Sequence, residues 1–224
     1  MSKKRNGEIG ERKVRDYLDK LEGYHQLINN LTLEDENGFT HQIDHIFINH
    51  SGVFVIESKA YFGEISGEEK DSILFKKVND KVERISNPIK QNRSHVKIVK
   101  KTLKNKINPI SVVVFSNNNA PYFPNENVIN LDDLSLFISS FPTGTNLSKE
   151  DIDLINDILL KSESDKSMQE HLDNIKLIKR NRESSQSEIA FALETRICPR
   201  CRKKIIEGKN NYFRCSKCDF KFHF

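Results

Sequence analysis

The sequence predicts an α/β protein: a central mixed sheet flanked by helices, then a helical stretch, then a small cysteine-bound module. Three observations lead there. Two apolar, β-branched runs, Thr40 to Ile48 and Val53 to Ala60, are separated only by Asn49-His50-Ser51-Gly52, a tight-turn sequence. Their apolar residues occupy both faces, so further layers are expected on both sides. All four cysteines fall in the last 27 residues, as two Cys-x-x-Cys pairs.

A chain of 224 residues allows one medium domain and something small beside it. With 36% hydrophobic and 30% charged residues it suits a soluble protein with a modest core. No run approaches a membrane span, and the opening Met1 to Asn6 has no apolar signal region, so a cytoplasmic location is expected. The net charge of +4 is unevenly placed. Lys81 to Lys106 holds nine Lys/Arg and one acid, and Leu193 to Phe224 holds nine and three. The remainder is acidic. Two basic islands in an acidic chain point to contact with a polyanion; a solvated helix face plus a basic tail is the plainer reading.

In order along the chain, Gly7 to Leu21 is a helix, with Gly10, Val14, Tyr17, Leu18 and Leu21 as its apolar stripe. Glu11 sits at the stripe's edge, facing inward. On pattern alone it is equally a charge favoured by the helix macrodipole. Tyr24 to Leu33 is an irregular strand, and Glu34 to Gly38 a turn. After the two central strands, Tyr61 to Gly67 continues as strand and bend, and Ser72 to Val78 is an outer strand. Asn87-Pro88 opens the basic helix, Asn as N-cap and Pro at the first helical position. Ile89, Val96, Val99 and Leu103 form its main apolar line, with Gln91, His95, Ile98 and Thr102 on a second. His95 is expected to be a packed or surface histidine. Ile110 to Phe115 is an interior strand, Val128 to Leu131 a short strand, and Asp132 to Ser139 a short helix. A boundary is expected at Phe141 to Thr145. Ser148 with Asp151 then caps a further helix, and Met168, Leu172, Ile175 and Ile178 suggest another. The domains expected are 1–141, a helical linker at 142–192, and 193–224.

The chemistry concentrates in the central hairpin. With His50-Ser51 in the loop, Asp44 stands opposite Glu57, and opposed residues share a face with Cβ atoms ~5 Å apart. Lys59, two residues on, shares that face. Two buried carboxylates are costly unless a positive charge lies between them. A divalent cation with oxygen ligands fits, and a lysine beside it could orient or deprotonate a water. An internal carboxylate–lysine ion pair is the plainer alternative, and a one-residue slip of register would carry Asp44 to the other face.

Asp44, twelve residues, then Glu57-Ser58-Lys59 resembles the core of PD-(D/E)xK nucleases. Gly7-Glu8-Ile9-Gly10-Glu11-Arg12, Gln42-Ile43-Asp44-His45, Gly52 to Lys59 and Asn87-Pro88-Ile89-Lys90-Gln91-Asn92 resemble, in that order, the nuclease-related (NERD) domain. The resemblance covers roughly the first 140 residues. It implies a restriction-endonuclease-like core and a Mg²⁺- or Mn²⁺-dependent nuclease. Asp44 and Glu57 would be metal ligands, Lys59 the aid to the attacking water, and Glu11 and Gln91 helpers. The pattern usually carries a Trp near the outer strand. This chain has none, and Phe75 is expected to take its place in packing.

The tail, Cys198-Pro199-Arg200-Cys201, thirteen residues, then Cys215-Ser216-Lys217-Cys218, matches a four-cysteine Zn²⁺ site on a β-hairpin, a zinc ribbon. It resembles the small C-terminal ribbons of bacterial topoisomerases. Tyr212, Phe213, Phe220, Phe222 and Phe224 alternate with Arg214, Lys217 and Lys221, which suits stacking on bases as well as a small core. Lys90, Arg93 and Lys97 on the basic helix, with Tyr212, Arg214 and Lys217, are the nucleic-acid-binding candidates, with DNA the expected partner. A non-cleaving nucleic-acid-binding or adaptor protein on the same fold is the alternative, as is recruitment of a protein partner through the helical stretch.

Overall fold

The structure is a computed structural model and describes residues 3–141, 146–166, 168–208 and 212–223. It divides into two compact units, 1–165 and 166–224.

The first unit is built on a five-stranded mixed sheet in the order β1-β2-β3-β7-β8. Strands β1 (His25–Glu34), β2 (Thr40–Asn49) and β3 (Gly52–Lys59) run antiparallel. Strands β7 (Ile110–Phe115) and β8 (Val128–Asn130) lie parallel to β3. β3 is at the centre, buried from Gly52 to Ser58, as its double-sided apolar sequence requires. Between β3 and β7 the chain forms a second sheet of β4 (Glu64–Ser66), β5 (Ile73–Val78) and β6 (Lys81–Ser86), and then helix α2 (Pro88–Thr102). The first strand of the basic island is thus a sheet edge, not part of the basic helix.

Helices cover both faces of the main sheet. Val14 and Leu18 of α1 (Lys3–Leu18) and Leu134 and Ile138 of α3 (Leu134–Ser140) pack with Phe47, Phe54, Ile56, Val112 and Val114. On the other face, Ile98 and Val99 of α2 pack with Ile152, Ile155 and Leu159 of α4 (Lys149–Lys161) over Ile46, Ile48, Val53 and Val55. Asn87 caps α2, accepting from Ile89 N–H at 3.0 Å, and Ser148 and Asp151 form a reciprocal capping box on α4. Asn92, fully buried, ties α2 to the sheet. Its Nδ2 donates to the carbonyls of Val55 and Val112 and to Ser111 Oγ at 2.8–3.0 Å. Gly10 sets the approach of α1: a Cβ there would lie 2.6 Å from Ala60 Cβ and 2.9 Å from Ser116 Oγ.

Two packing expectations change. Phe75 is 44% exposed on β5, so it does not fill a buried aromatic slot. The first compact unit extends past the expected boundary at 141, because the apolar stripe of α4 is used up in the sheet core. Pro142 to Thr145, where that boundary was placed, lie outside the described residues.

The second unit comprises α5 (Met168–Thr195) and a three-stranded antiparallel sheet, β9 (Ile205–Glu207), β10 (Tyr212–Cys215) and β11 (Lys221–His223). Ile189, Ala192 and Leu193 of α5 close its small core against Ile205, Phe213, Phe220 and Phe222. The expected stripe of Met168, Leu172, Ile175 and Ile178 falls on side chains outside the described residues, as does Phe224.

Leu159→Ala tests the place of α4. Loss of a fully buried leucine should cost about 2–5 kcal/mol in urea unfolding of the first unit, whereas a solvated spacer helix would lose under about 0.5 kcal/mol.

Candidate active site

Hairpin register decides which side chains can meet. Pairing runs from Asn49 with Gly52 to His45 with Ile56. One step further on, where Asp44 would face Glu57, the ladder ends. Asp44 Oδ2 instead accepts from the Ser58 backbone N–H at 2.8 Å and from Ser58 Oγ at 3.0 Å. On its other side the β1–β2 ladder also lapses at Asn30 and Asp44, with Asn30 in the left-handed region at φ 56°. Ile43 and Ile46 therefore reach the same core, although residues three apart face opposite ways in a regular strand. Asp44 sits at that lapse in the ladder, beside the end of β3.

Glu57 is 1% exposed and Lys59 16% exposed. Lys59 Nζ donates to Glu57 Oε1 and lies 3.4 Å from Gln91 Oε1 on the first turns of α2. The Lys59 carbonyl is anchored by Ser116 N–H at 2.9 Å, which fixes this end of β3. His95, one turn along α2 from Gln91 and also buried, places Nδ1 3.3 Å from Glu57 Oε2. That approach misses hydrogen-bond geometry, so Glu57 Oε2 and His95 Nδ1 are both buried without a hydrogen bond.

The electrostatics follow from this crowding. Burial, then the Glu57 charge, push the Asp44 carboxyl up to about 7, against the pull of Lys59 and the Ser58 amide. Burial alone would raise Glu57 too, but the Lys59 ammonium, with His95 behind it, outweighs burial and holds the carboxyl below its ordinary value. Burial works against the Lys59 charge, yet Glu57, with Tyr61 and Asp44 in support, keeps the ammonium above its ordinary value. Glu11 is raised by burial and by Glu57, and is lowered by Lys59. It therefore belongs to the same field.

The chain thus gathers Asp44, Glu57, Lys59 and Gln91, with Glu11 coupled to them. His95, expected to be an ordinary packed histidine, stands against Glu57, and Asn92 braces the same strand. Neither follows from periodicity, since only the packing of α2 on β3 brings them there. Glu57 Oε2, with only His95 Nδ1 near it at 3.3 Å, and Asp44, whose two hydrogen bonds both go to Oδ2, are the carboxylates here that could serve as oxygen ligands. Of the basic-helix candidates, Lys90 Nζ donates to Ser72 Oγ at 2.9 Å and Arg93 pairs with Glu126. Lys97 is exposed and has no ion pair among the described residues.

In the second unit the sulfurs of Cys198, Cys201, Cys215 and Cys218 all lie within 4.8 Å of one another. Cys198 and Cys218 approach to 3.6 Å, and Cys201 and Cys215 to 3.4 Å. Tetrahedral bonds of about 2.3 Å to zinc would place sulfurs about 3.8 Å apart, so the cluster fits a structural thiolate metal site. The Cys218 and Lys217 N–H groups donate to Cys215 Sγ and hold that thiol below its ordinary value. Of the aromatics expected to stack on bases, Tyr212 is half-buried, Phe224 lies outside the described residues, and the other three do not reach solvent. Phe213, Phe220 and Phe222 are buried, and Phe213 stacks on Phe222 at 5.1 Å.

Residues 6–116 match the family model described as the nuclease-related domain, NERD. The likeness to that family covers just under half of the chain. The match spans the Gly7–Arg12, Gln42–His45, Gly52–Lys59 and Asn87–Asn92 phrases of the first unit. An uncharacterized protein of Bacillus anthracis, pXO1-01, is 36% identical over 110 residues, which is 49% of this chain and 52% of that protein. The chain therefore spans about half the length of that relative. Among solved structures, the small subunit of the heterodimeric restriction endonuclease R.BspD6I aligns over 77% of this chain and 89% of that one, at 15% identity and a TM-score of 0.30. Among the described residues no helix is long and apolar enough to cross a membrane.

Two outcomes test the site. Because folding raises the Asp44 pKa from the ordinary carboxylate range to about 7, the protonated group favours the folded state. Without divalent cation, that contribution is full below about pH 4 and is lost as pH rises to about 7. Asp44→Asn should match the parent in urea unfolding at about pH 4 and exceed it by about 2–4 kcal/mol at pH 8. A pH-independent difference would remove the Glu57–Asp44 repulsion from the account. Separately, metal analysis should give roughly one zinc per chain, and chelation should strip protease resistance from 196–223 while 3–141 stays protected.

Proposed function

We propose that the first unit is a metal-dependent nuclease that hydrolyses phosphodiester bonds, with DNA as its expected substrate. The observation that carries this is the buried Glu57 oxygen without a hydrogen bond, beside Asp44 and within a strand held by Lys59. Asp44 and Glu57 would hold Mg²⁺ or Mn²⁺, which when bound supplies Lewis-acid polarisation of the phosphate and a more acidic water. The chain's own residues do the rest. Lys59 is held as an ammonium, so it orients the water and neutralises charge growing on the phosphate, and does not take the proton itself. Gln91 limits the swing of Lys59 from the α2 side. Glu11, raised by burial and by Glu57, would be a further carboxylate able to hold a water of that metal. Ser58 fixes Asp44 through two hydrogen bonds, so the carboxylate needs little reorganisation.

Nucleic acid would be held by the exposed cations. On the first unit these are led by Lys97, with Lys90 and Arg93 available where Ser72 and Glu126 release them. On the second unit, Arg214, Lys217 and Tyr212 serve, on a ribbon stabilised by Zn²⁺ at the four cysteines.

Labelled single- and double-stranded DNA should be cut by purified protein in Mg²⁺ or Mn²⁺ and not in EDTA. Glu57→Ala and Lys59→Ala, both shown to be folded, should each lower the rate at least about a hundredfold. Cutting that survives both variants would point to another centre. Absence of cutting with salt-sensitive binding intact would favour the non-cleaving, nucleic-acid-binding alternative.

A further inference from the structure

The outer face of the C-terminal sheet carries an arrangement that costs stability unless something anionic lies on it. Arg214 on β10 stands directly opposite Lys221 on β11, and its neighbour on the other side, in β9, is Ile206. Like charges directly opposed across strands are destabilising. Lys204, two residues before Ile206 and joined to Ser216 by the Ser216 N–H at 3.0 Å, lies on the same face by the strand pleat. All three cations are exposed, and none has an ion pair among the described residues. Three carboxylates of this unit act on other cations. Glu207 pairs with Arg196 at 3.4 Å, Glu188 pairs with Arg200 at 3.1 Å, and the Asp219 charge also acts on Arg200.

The opposite face is closed to bases. Phe213 and Phe222 stack on one another, Arg196 lies over Phe213 at 5.0 Å, and Arg200 lies over Phe220 at 5.2 Å. Those rings are already covered, and Tyr212, which the pleat puts on the face of Arg214, is itself half-buried, so among the described residues the face offers cations and no fully exposed aromatic ring.

We propose that Lys204, Arg214 and Lys221 form a phosphate-binding face that holds nucleic acid by its backbone alone, indifferent to sequence and to strandedness. This rests on the nucleic-acid reading above and narrows it: Tyr212 gives up its part in the binding, since the ribbon tethers and does not read.

The test uses the full chain with Glu57→Ala, so that cleavage plays no part. Fluorescence anisotropy is followed on an oligothymidine, a mixed-sequence strand and its duplex, from about 50 to about 300 mM KCl. Adding Lys204→Gln, Arg214→Gln and Lys221→Gln together should flatten the log–log salt slope by about 2 on single strands and about 2–3 on the duplex, alike for both sequences. Zinc content and circular dichroism should be unchanged. Arg214→Glu, which turns the opposed pair into an attraction, should weaken binding at least about tenfold while raising the thermal midpoint of the C-terminal unit. An unchanged slope in the zinc-loaded triple variant would overturn the inference. So would a loss confined to one sequence or one strand form, or a Tyr212→Ala variant that loses more affinity than the triple. A parent protein that cuts while the slope is unchanged overturns the phosphate face alone. One that binds through this face and never cuts overturns the nuclease reading alone.

Discussion

The first unit depends on keeping a carboxylate charged in a place that water does not reach. Glu57 lies in the central strand, apolar on both sides, and its charge is sustained there by Lys59 two residues away on the same strand. Partners so placed share a face by the strand's own period, so any distortion of β3 would move both together. The pair is held from outside as well. Ser116 anchors the Lys59 carbonyl, Gln91 reaches the ammonium, and Asn92 bolts α2 to the carbonyls of β3 and β7. Removing one partner from such a pair strands the other, the costliest electrostatic change a core can suffer.

That anchored charge explains the neighbours. Asp44 is pushed up by burial and then by the Glu57 charge, and Glu11 is raised by the same two causes. The site without metal therefore holds more negative charge than Lys59 alone can neutralise. The lapse in the β1–β2 ladder at Asn30 serves this arrangement, since a regular ladder at Asp44 would not let Ile43 and Ile46 enter one core while the carboxylate between them meets the Ser58 amide. His95 completes the enclosure from α2, 3.3 Å from the Glu57 oxygen that has no donor.

Much of this was legible in the sequence, because the determining pattern is local. A two-residue turn fixes the register of β2 on β3, and the register brings Asp44, Glu57 and Lys59 to one end of the sheet. Caps at Asn87 and Ser148 were legible for the same reason, being set by neighbours three residues or fewer away. What escaped was set at long range. His95 and Asn92 lie off the main apolar line of α2, and only docking against β3 makes them buried partners. The α4 stripe gave no sign of which surface it would cover. Phe213, Phe220 and Phe222 show the limit most clearly: alternation of aromatic and basic residues suits both a base-stacking surface and a tiny core. A four-cysteine module this small has few apolar rings for its core, so the core took these three.

The loss of those rings to the core constrains what the second unit can contribute. A surface of cations without exposed aromatics interacts with nucleic acid through counterion release, a term that is long-ranged, sequence-blind and additive over charges. On the proposed reading, the basic island on the first unit acts through the same term. Two weak sites of this kind on one chain need no fixed mutual geometry to reinforce each other. Once one is engaged, the other is held at a high local concentration of phosphates set by the connecting segment. Such a tether raises residence on the polymer without selecting a sequence. Any selectivity of the protein would then have to arise beside Asp44 and Glu57, where the phosphate must enter a buried field and where Lys59, Gln91 and Glu11 define which backbone geometry can be accommodated.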